Sequence, residues 1–221
     1  MPREDSVNPA GERSKVCLIV EASDADSAAR VAAAFERVPV AVLVIRPGAG
    51  DASAVRGLVQ EAQRRGVAAL IENDAELAGK VGADGVHLAA SADLSGAYAS
   101  RRASLGAKSI VGVDAGGSRH DAMTVAEEGA DYIAFGIAAD APDREEAAAD
   151  RLDLVQWWAE IFEVPVVAFD VATPEEARDL ADAGADFIAV RLATDVPASD
   201  AASRVAEIAA AIAADNLAAP A

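Results

Sequence analysis

A chain of 221 residues with 52% in the hydrophobic class can bury one substantial core, and with only 4% aromatic that core must be built from Val, Ile, Leu and Ala. The formal net charge of −18 argues against nucleic acid and anionic membrane surfaces as partners and places acid on solvated helix faces. The single cysteine, Cys17, excludes an internal disulfide and reads as a small buried apolar residue.

The segment Met1 to Ser14 is polar and charged and does not read as a secretory signal, and no apolar stretch reaches bilayer-spanning length. The expectation is a cytoplasmic protein: a disordered arm over residues 1–14, a barrel domain over 15–216 and a frayed tail over 217–221. The first strand reads as Val16 to Val20, and an Ala-rich helix follows from Asp24 to Val38, with Ser23 or Asp24 as its cap. A second strand, Val40 to Ile45, leads through Arg46-Pro47-Gly48 to a helix that opens at Asp51 or Ser53 and stops at Gly66. The third strand is Val67 to Ile71, followed by Glu72-Asn73-Asp74 and a short helix from Ala75 to Val81. Gly85 to Leu88 is the fourth, and the segment from Ala89 to Gly106 holds a weak helix in its middle.

Ser109 to Val113 is the fifth strand, followed by Asp114 and a helix from Arg119 to Glu128. The sixth is Tyr132 to Phe135. The acidic, Ala-rich stretch from Gly136 to Asp150 then reads as a long mobile excursion. A helix from Leu152 to Phe162 carries Trp157 and Trp158 as packing residues. The seventh strand spans Val164 to Phe169; Thr173 and Pro174 open the next helix, with Glu175 and Glu176 in its first turn. The eighth is Phe187 to Val190, and the last helix runs from about Ser199 to Asp215.

One phrase recurs three times: Gly82-Ala83-Asp84, Gly129-Ala130-Asp131 and Gly184-Ala185-Asp186, at intervals of 47 and 55 residues. Each copy follows a helical segment and precedes an apolar run, as a left-handed helix end, a tight turn and a buried strand require. Strands alternating with helices at this interval predict an α/β fold, a single (β/α)8 TIM barrel, with an open doubly wound sheet as the alternative. No Gly-x-Gly-x-x-Gly phrase supports that alternative.

A barrel carries its chemistry at the C-terminal ends of its strands. The three Asp of the recurring phrase precede their strands and so read as structural, bonding turn amides. The residues just after the strands are Glu21, Arg46, Asn73, Asp74, Asp114, Asp170, Arg191 and Thr194. Carboxylates with an amide oxygen suit Mg²⁺, and Arg46 and Arg191 suit a phosphate held by forked hydrogen bonds. The same charges could instead pair among themselves, Arg46 with Asp74 and Arg191 with Asp170. Both readings stand at this point. His87, within a strand, reads as satisfied by a backbone carbonyl; His120, at a helix start, reads as an exposed anion contact.

The order of phrases Leu70-Ile71-Glu72-Asn73-Asp74, Gly82-Ala83-Asp84-Gly85-Val86-His87-Leu88, Ile110-Val111-Gly112-Val113, Glu128-Gly129-Ala130-Asp131-Tyr132 and Val164-Pro165-Val166-Val167-Ala168 resembles the thiamine-phosphate synthase family, with its related thiazole tautomerases. The resemblance implies a barrel enzyme that joins a hydroxymethylpyrimidine pyrophosphate to a thiazole phosphate and releases pyrophosphate. It also implies Mg²⁺ on Asp74 and Asp93, with Arg46 and Asn73 on the pyrophosphate. Asp114, Asp170 and Arg191 would line the substrate site.

The chain departs from the family pattern in one direction. Val44 and Gly48 replace a glutamine and a lysine around Arg46, and Ala75 replaces an arginine. The family's Gly-Gln-x-Asp after the fourth strand becomes Ala89-Ala90-Ser91-Ala92, with Asp93 displaced by one. Asp114 replaces a serine, the Thr-x-Thr-Lys loop after the sixth strand is missing, and Phe169-Asp170 stands for the Gly-Gly pair that binds the thiazole phosphate. Ile137 stands where the tautomerases carry their histidine. Anion-binding groups are lost and carboxylates gained, which implies weak or lost synthase activity. The alternatives are a non-catalytic binding or regulatory paralogue, or a barrel re-purposed for a less anionic substrate. A small-molecule partner is implied, and an association of identical chains is left open.

Overall fold

The structure is a computed structural model that describes residues 14–48 and 51–213. Its elements alternate without exception: β1 (Lys15–Glu21), α1 (Ser27–Phe35), β2 (Val40–Arg46), α2 (Ala52–Arg64), β3 (Ala68–Glu72), α3 (Ala75–Val81), β4 (Gly85–Leu88), α4 (Leu94–Leu105), β5 (Ile110–Asp114), α5 (Arg119–Glu127), β6 (Tyr132–Phe135), α6 (Arg144–Ile161), β7 (Val166–Ala168), α7 (Pro174–Asp182), β8 (Phe187–Arg191) and α8 (Ala198–Ala213). Each strand pairs parallel to the next, and β1 closes on β8 with Lys15 opposite Phe187 and Ile19 opposite Arg191. This is the closed (β/α)8 barrel, and closure excludes the open sheet. Of the expected arm, residues 1–13 lie outside the described residues, as does the tail over 217–221, while Ser14 donates its hydroxyl to the Ala185 carbonyl at 2.6 Å. Among those described, no helix is long and apolar enough to cross a membrane.

The pleat divides the apolar residues into two cores. Leu18, Val20, Leu43, Ile45, Ile71 and Val86 face the helices. Their neighbours Cys17, Ile19, Val44, Leu70, Ala134, Val167, Phe169 and Ala189 fill the barrel lumen. Burial pushes the Cys17 thiol pKa up to about 12, which keeps it protonated and inert. Gly112 is required by space: a Cβ there would lie 1.8 Å from the Tyr132 ring, which crosses the lumen beside it.

The recurring phrase does more than turn the chain. Gly82, Gly129 and Gly184 take φ of 74°, 99° and 97°, the left-handed conformation that ends each helix. Each following Asp reaches sideways to the neighbouring strand. Asp84 accepts from the Ala69 amide at 2.8 Å, Asp131 from Val111 at 2.7 Å and Asp186 from Val166 at 2.8 Å. The same residues return their own amides to the Ala69, Val111 and Val166 carbonyls. The expected turn amides are thus strand amides, and each Asp extends the sheet ladder at the stability face.

Three element boundaries differ from expectation. α1 starts at Ser27 with Asp26 at its cap, and Asp26 makes no side-chain cap bond. Asp24, expected as the cap, instead pairs with the buried Arg30, whose guanidinium also donates to the Thr194 carbonyl at 2.8 Å. The excursion after β6 is short, because residues 144–151 are the first turns of α6. Asp143 caps them by accepting from Glu145 at 2.9 Å and Glu146 at 3.1 Å, and an Ala- and Glu-rich stretch behind such a cap favours helix. β7 is only Val166–Ala168. Proline lacks an amide for the ladder at position 165, and the Val164 carbonyl is taken by Trp158 Nε1 at 2.8 Å. Trp158 is fully buried and stacks on Phe162, a packing residue as expected.

Replacing Asp186 by Ala leaves the buried Val166 amide without an acceptor. Stability should fall by about 1–3 kcal/mol, or roughly 3–10 °C in Tm, and Asp186→Asn should retain most of it. Thermal denaturation of the two variants checks this; an unchanged Tm for Asp186→Ala would contradict it.

Candidate functional site

Because residues two apart along a strand share a face, the last inward residues form a rim one step above the lumen. Glu21 follows Ile19, Arg46 follows Val44, Glu72 follows Leu70, Asp114 follows Gly112 and Arg191 follows Ala189. Four of these five are charged groups joined into one network. Arg46 Nε donates to Glu72 Oε1 at 2.7 Å, and its Nη1 lies 3.5 Å from Glu21 Oε1. Arg191 Nη1 lies 3.3 Å from the same Glu21 oxygen, and its Nη2 donates to Asp170 Oδ1 at 2.8 Å. The order around the mouth is Glu72, Arg46, Glu21, Arg191, Asp170: three carboxylates holding two guanidiniums.

Burial works to lower the pKa of Arg46, but the charges of Glu72, Asp170 and Glu21 outweigh it, and the net shift is upward. The self-paired arrangement is therefore the one present, with one change of partner. Arg191 pairs with Asp170 as foreseen, whereas Arg46 pairs with Glu72 and Glu21 and not with Asp74. Asp74 is turned to α3, where it caps the helix by accepting from the Leu77 amide at 2.8 Å.

Asp114 completes the mouth on the opposite side. Its Oδ1 accepts from the Gly116 amide at 2.8 Å and the Gly136 amide at 3.1 Å. Burial pushes its pKa up to about 6, those two amides pull it down, Asp170 adds to the rise and Arg46 opposes it. Asp170 has a left-handed backbone, φ 57°, where the family resemblance places a glycine. Asp tolerates that conformation better than most side chains, and here it turns a carboxylate toward Arg191.

Asn73 is also left-handed, φ 60°. Its amide donates to the His87 carbonyl at 2.9 Å and its Oδ1 accepts from Ala89 at 3.0 Å, so it clips β3 to the end of β4. Asp93 caps α4 by accepting from Gly96 at 3.0 Å. The expected metal pair, Asp74 and Asp93, thus consists of two helix caps. Among the described residues no three of His, Cys, Asp and Glu are placed to hold a metal ion. Each cap bond engages one oxygen, Asp74 Oδ1 and Asp93 Oδ1, so these two carboxylates are held by their own helices.

Beside the network lies a cavity of about 510 Å³, lined by Ile137, Arg144, Asp170, Arg191, Thr194 and Arg204 among others. Arg144 donates to the Asp170 carbonyl at 3.1 Å, and Arg204 to the Ala172 carbonyl at 2.6 Å. The loop after β7 is held from beneath by the buried Arg151, which donates to the Phe169 carbonyl at 2.5 Å and pairs with Glu176.

Below the rim, His87 is buried with its Nδ1 2.8 Å from the Tyr132 hydroxyl, not on a backbone carbonyl as expected. It stacks on Phe169 at 4.4 Å between ring centroids. Burial, reinforced by Arg46, pushes its pKa down to about 3 and keeps the imidazole neutral. His120 is exposed in the first turn of α5.

Sequence reasoning missed Glu72, the Tyr132 partner of His87, and Arg144 and Arg204. Glu72 was legible, since it stands two residues beyond the inward Leu70, as Arg46 does beyond Val44. Arg144 and Arg204 come from helices whose approach to the mouth no local pattern encodes.

The sequence profile of the family described as "Thiamine monophosphate synthase" matches residues 16–194. A thiamine-phosphate synthase of Rhodospirillum centenum is 38% identical over 164 residues, covering 72% of this chain and 78% of that protein. A thiamine-phosphate synthase of Erythrobacter litoralis is 40% identical over 126 residues, covering 56% of this chain but only 58% of the relative, less than two thirds of its length. Among solved structures, a thiamine phosphate pyrophosphorylase from Pyrococcus furiosus superposes with a TM-score of 0.70 at 19% identity, over 91% of this chain and 96% of that one; it shares the fold.

The raised Asp114 pKa makes stability depend on pH. The folded state holds the proton up to about pH 6, while an unfolded aspartate releases it near 3.8, so Asp114 contributes stability below 3.8 that is lost as pH rises through about 6. His87 acts oppositely: its contribution is present above about pH 6.5 and is lost as pH falls toward about 3. Asp114→Asn keeps an oxygen for the two glycine amides and removes the charge. Urea denaturation should show the variant more stable than the parent above pH 6 and no more stable at pH 4. Parallel curves at both pH values would contradict the assignment.

Proposed function

The chain belongs to the thiamine monophosphate synthase family, and from that premise we propose that its mouth receives a phosphorylated small molecule while the family's condensation proceeds only weakly or not at all. In that condensation the C–O bond between the pyrimidine methylene and pyrophosphate breaks, and the thiazole nitrogen forms the new bond to that methylene. The charge on the departing pyrophosphate must be met by preorganised cations and amides. The family resemblance assigns the departing pyrophosphate to Arg46, which lies on the rim. Arg144, Arg191 and Arg204 line the cavity where a second phosphate would lie.

The observation that carries the reading is the pairing state of the rim: both of its guanidiniums are already closed on the chain's own carboxylates. An incoming phosphate must displace Glu21, Glu72 or Asp170 before it gains either arginine. It also meets the Asp170 carboxylate where the family resemblance places amides of glycine. Loss of a single preorganised donor costs a factor of about 10²–10³ in rate, and here several are compromised together.

A second reading has its own support. With Asp114 counted, the rim holds four carboxylates against two guanidiniums, a balance that suits a less anionic or cationic substrate. A binding or regulatory role without turnover is the limiting case of the first reading.

Incubation with the pyrimidine pyrophosphate and the thiazole phosphate, with thiamine phosphate measured as its fluorescent oxidation product, tests the proposal. Turnover should lie about 100-fold or more below that of the Rhodospirillum centenum relative assayed alongside. Turnover within about tenfold of that relative would overturn it.

A further inference from the structure

We propose that Glu21 is the specificity-determining residue of the mouth: one carboxylate that withholds two arginines from phosphate. The inference rests on reading the mouth as a phosphate-bearing site.

The strand register puts Glu21 at the centre of the network. At the end of β1 it lies opposite Arg46 of β2, and on its other side β8 ends at Arg191. Its Oε1 stands 3.5 Å from Arg46 Nη1 and 3.3 Å from Arg191 Nη1, so a single oxygen bridges the two guanidiniums. The outer carboxylates differ in this respect. Glu72 pairs with Arg46, and Asp170 with Arg191. Glu21 is also partly screened from water, with 29% of its side chain exposed, so its charge is felt more strongly than that of an open surface acid.

Two positive groups brought this close need a negative charge between them, and the chain supplies it internally. A phosphate or pyrophosphate that bridged Arg46 and Arg191 would have to take the place Glu21 occupies. Neutralising Glu21 alone leaves both guanidiniums on their outer partners and opens the position between them. Neutralising Glu72 or Asp170 releases one guanidinium and leaves the bridge in place. The order of effect on anion affinity is therefore Glu21 first, with Glu72 and Asp170 well behind.

The test is titration calorimetry of the full chain with inorganic pyrophosphate. Glu21→Gln should bind it about tenfold more tightly than the parent, the range expected when charge-assisted hydrogen bonds become available to a ligand. Its affinity should fall more steeply with added salt. Glu21→Asp should restore the parent's behaviour, and Glu72→Gln should give a smaller gain.

Glu160→Gln, at the far end of α6, changes the net charge equally and should leave affinity unchanged. Adding Arg191→Gln to Glu21→Gln should abolish the gain. Equal affinity of Glu21→Gln and parent, no binding by either at millimolar pyrophosphate, or an equal gain in Glu160→Gln would overturn the inference. Because the readout is binding, a synthase rate matching the relative would sink the functional reading and leave this result to be judged separately.

Discussion

Everything at the mouth depends on the pleat of a closed parallel sheet. With β1 hydrogen-bonded to β8, each strand has neighbours on both sides and no freedom to slip. A one-residue shift would exchange the lumen set with the helix-facing set. The register that buries Ile19, Val44, Leu70 and Ala189 in the lumen therefore forces Glu21, Arg46, Glu72 and Arg191 onto the rim. Their charges meet because the core cannot be built otherwise. The three aspartates at the other end pin the same register by bonding strand amides, so stability and chemistry are divided between the two ends of one barrel.

The rim is built on the ends of strands whose other residues form the core. The backbone at position 170 is left-handed, and a carboxylate extends from it. The loop behind it is held rigidly by Arg151 and Glu176. Position 170 keeps its backbone amide and adds a carboxylate that pairs with Arg191. Asp114 adds a further carboxylate to the mouth, its charge disfavoured by burial and by Asp170. A chain of net charge −18 thus carries its acidity into the mouth as well as over its surface.

Much of the fold was legible because it is written in local terms. The glycine–alanine–aspartate phrase marked three helix ends, and the apolar runs behind it marked buried strands. Of the boundaries that failed, the start of α6 was local and could have been read from Asp143 and the Ala- and Glu-rich stretch behind it; the others failed on contacts, Asp24 taken by a buried arginine and the seventh strand cut by a proline and by a tryptophan that claims a carbonyl. The site was legible only by half. Which residues end a strand can be read from the apolar runs, so Arg46, Asp114, Asp170 and Arg191 were named as following their strands. Which partners they choose depends on side-chain reach across three or four strands. Asp74 and Asp93 chose their own helices, and Glu72 took Arg46 in place of Asp74.

The central claim is that the chain's own carboxylates hold Arg46 and Arg191. A crystal structure grown from concentrated phosphate tests it most directly. The account predicts Glu21 between the two guanidiniums, with no anion bridging them. An ordered phosphate bound to both arginines, with the Glu21 carboxylate swung aside, would contradict it.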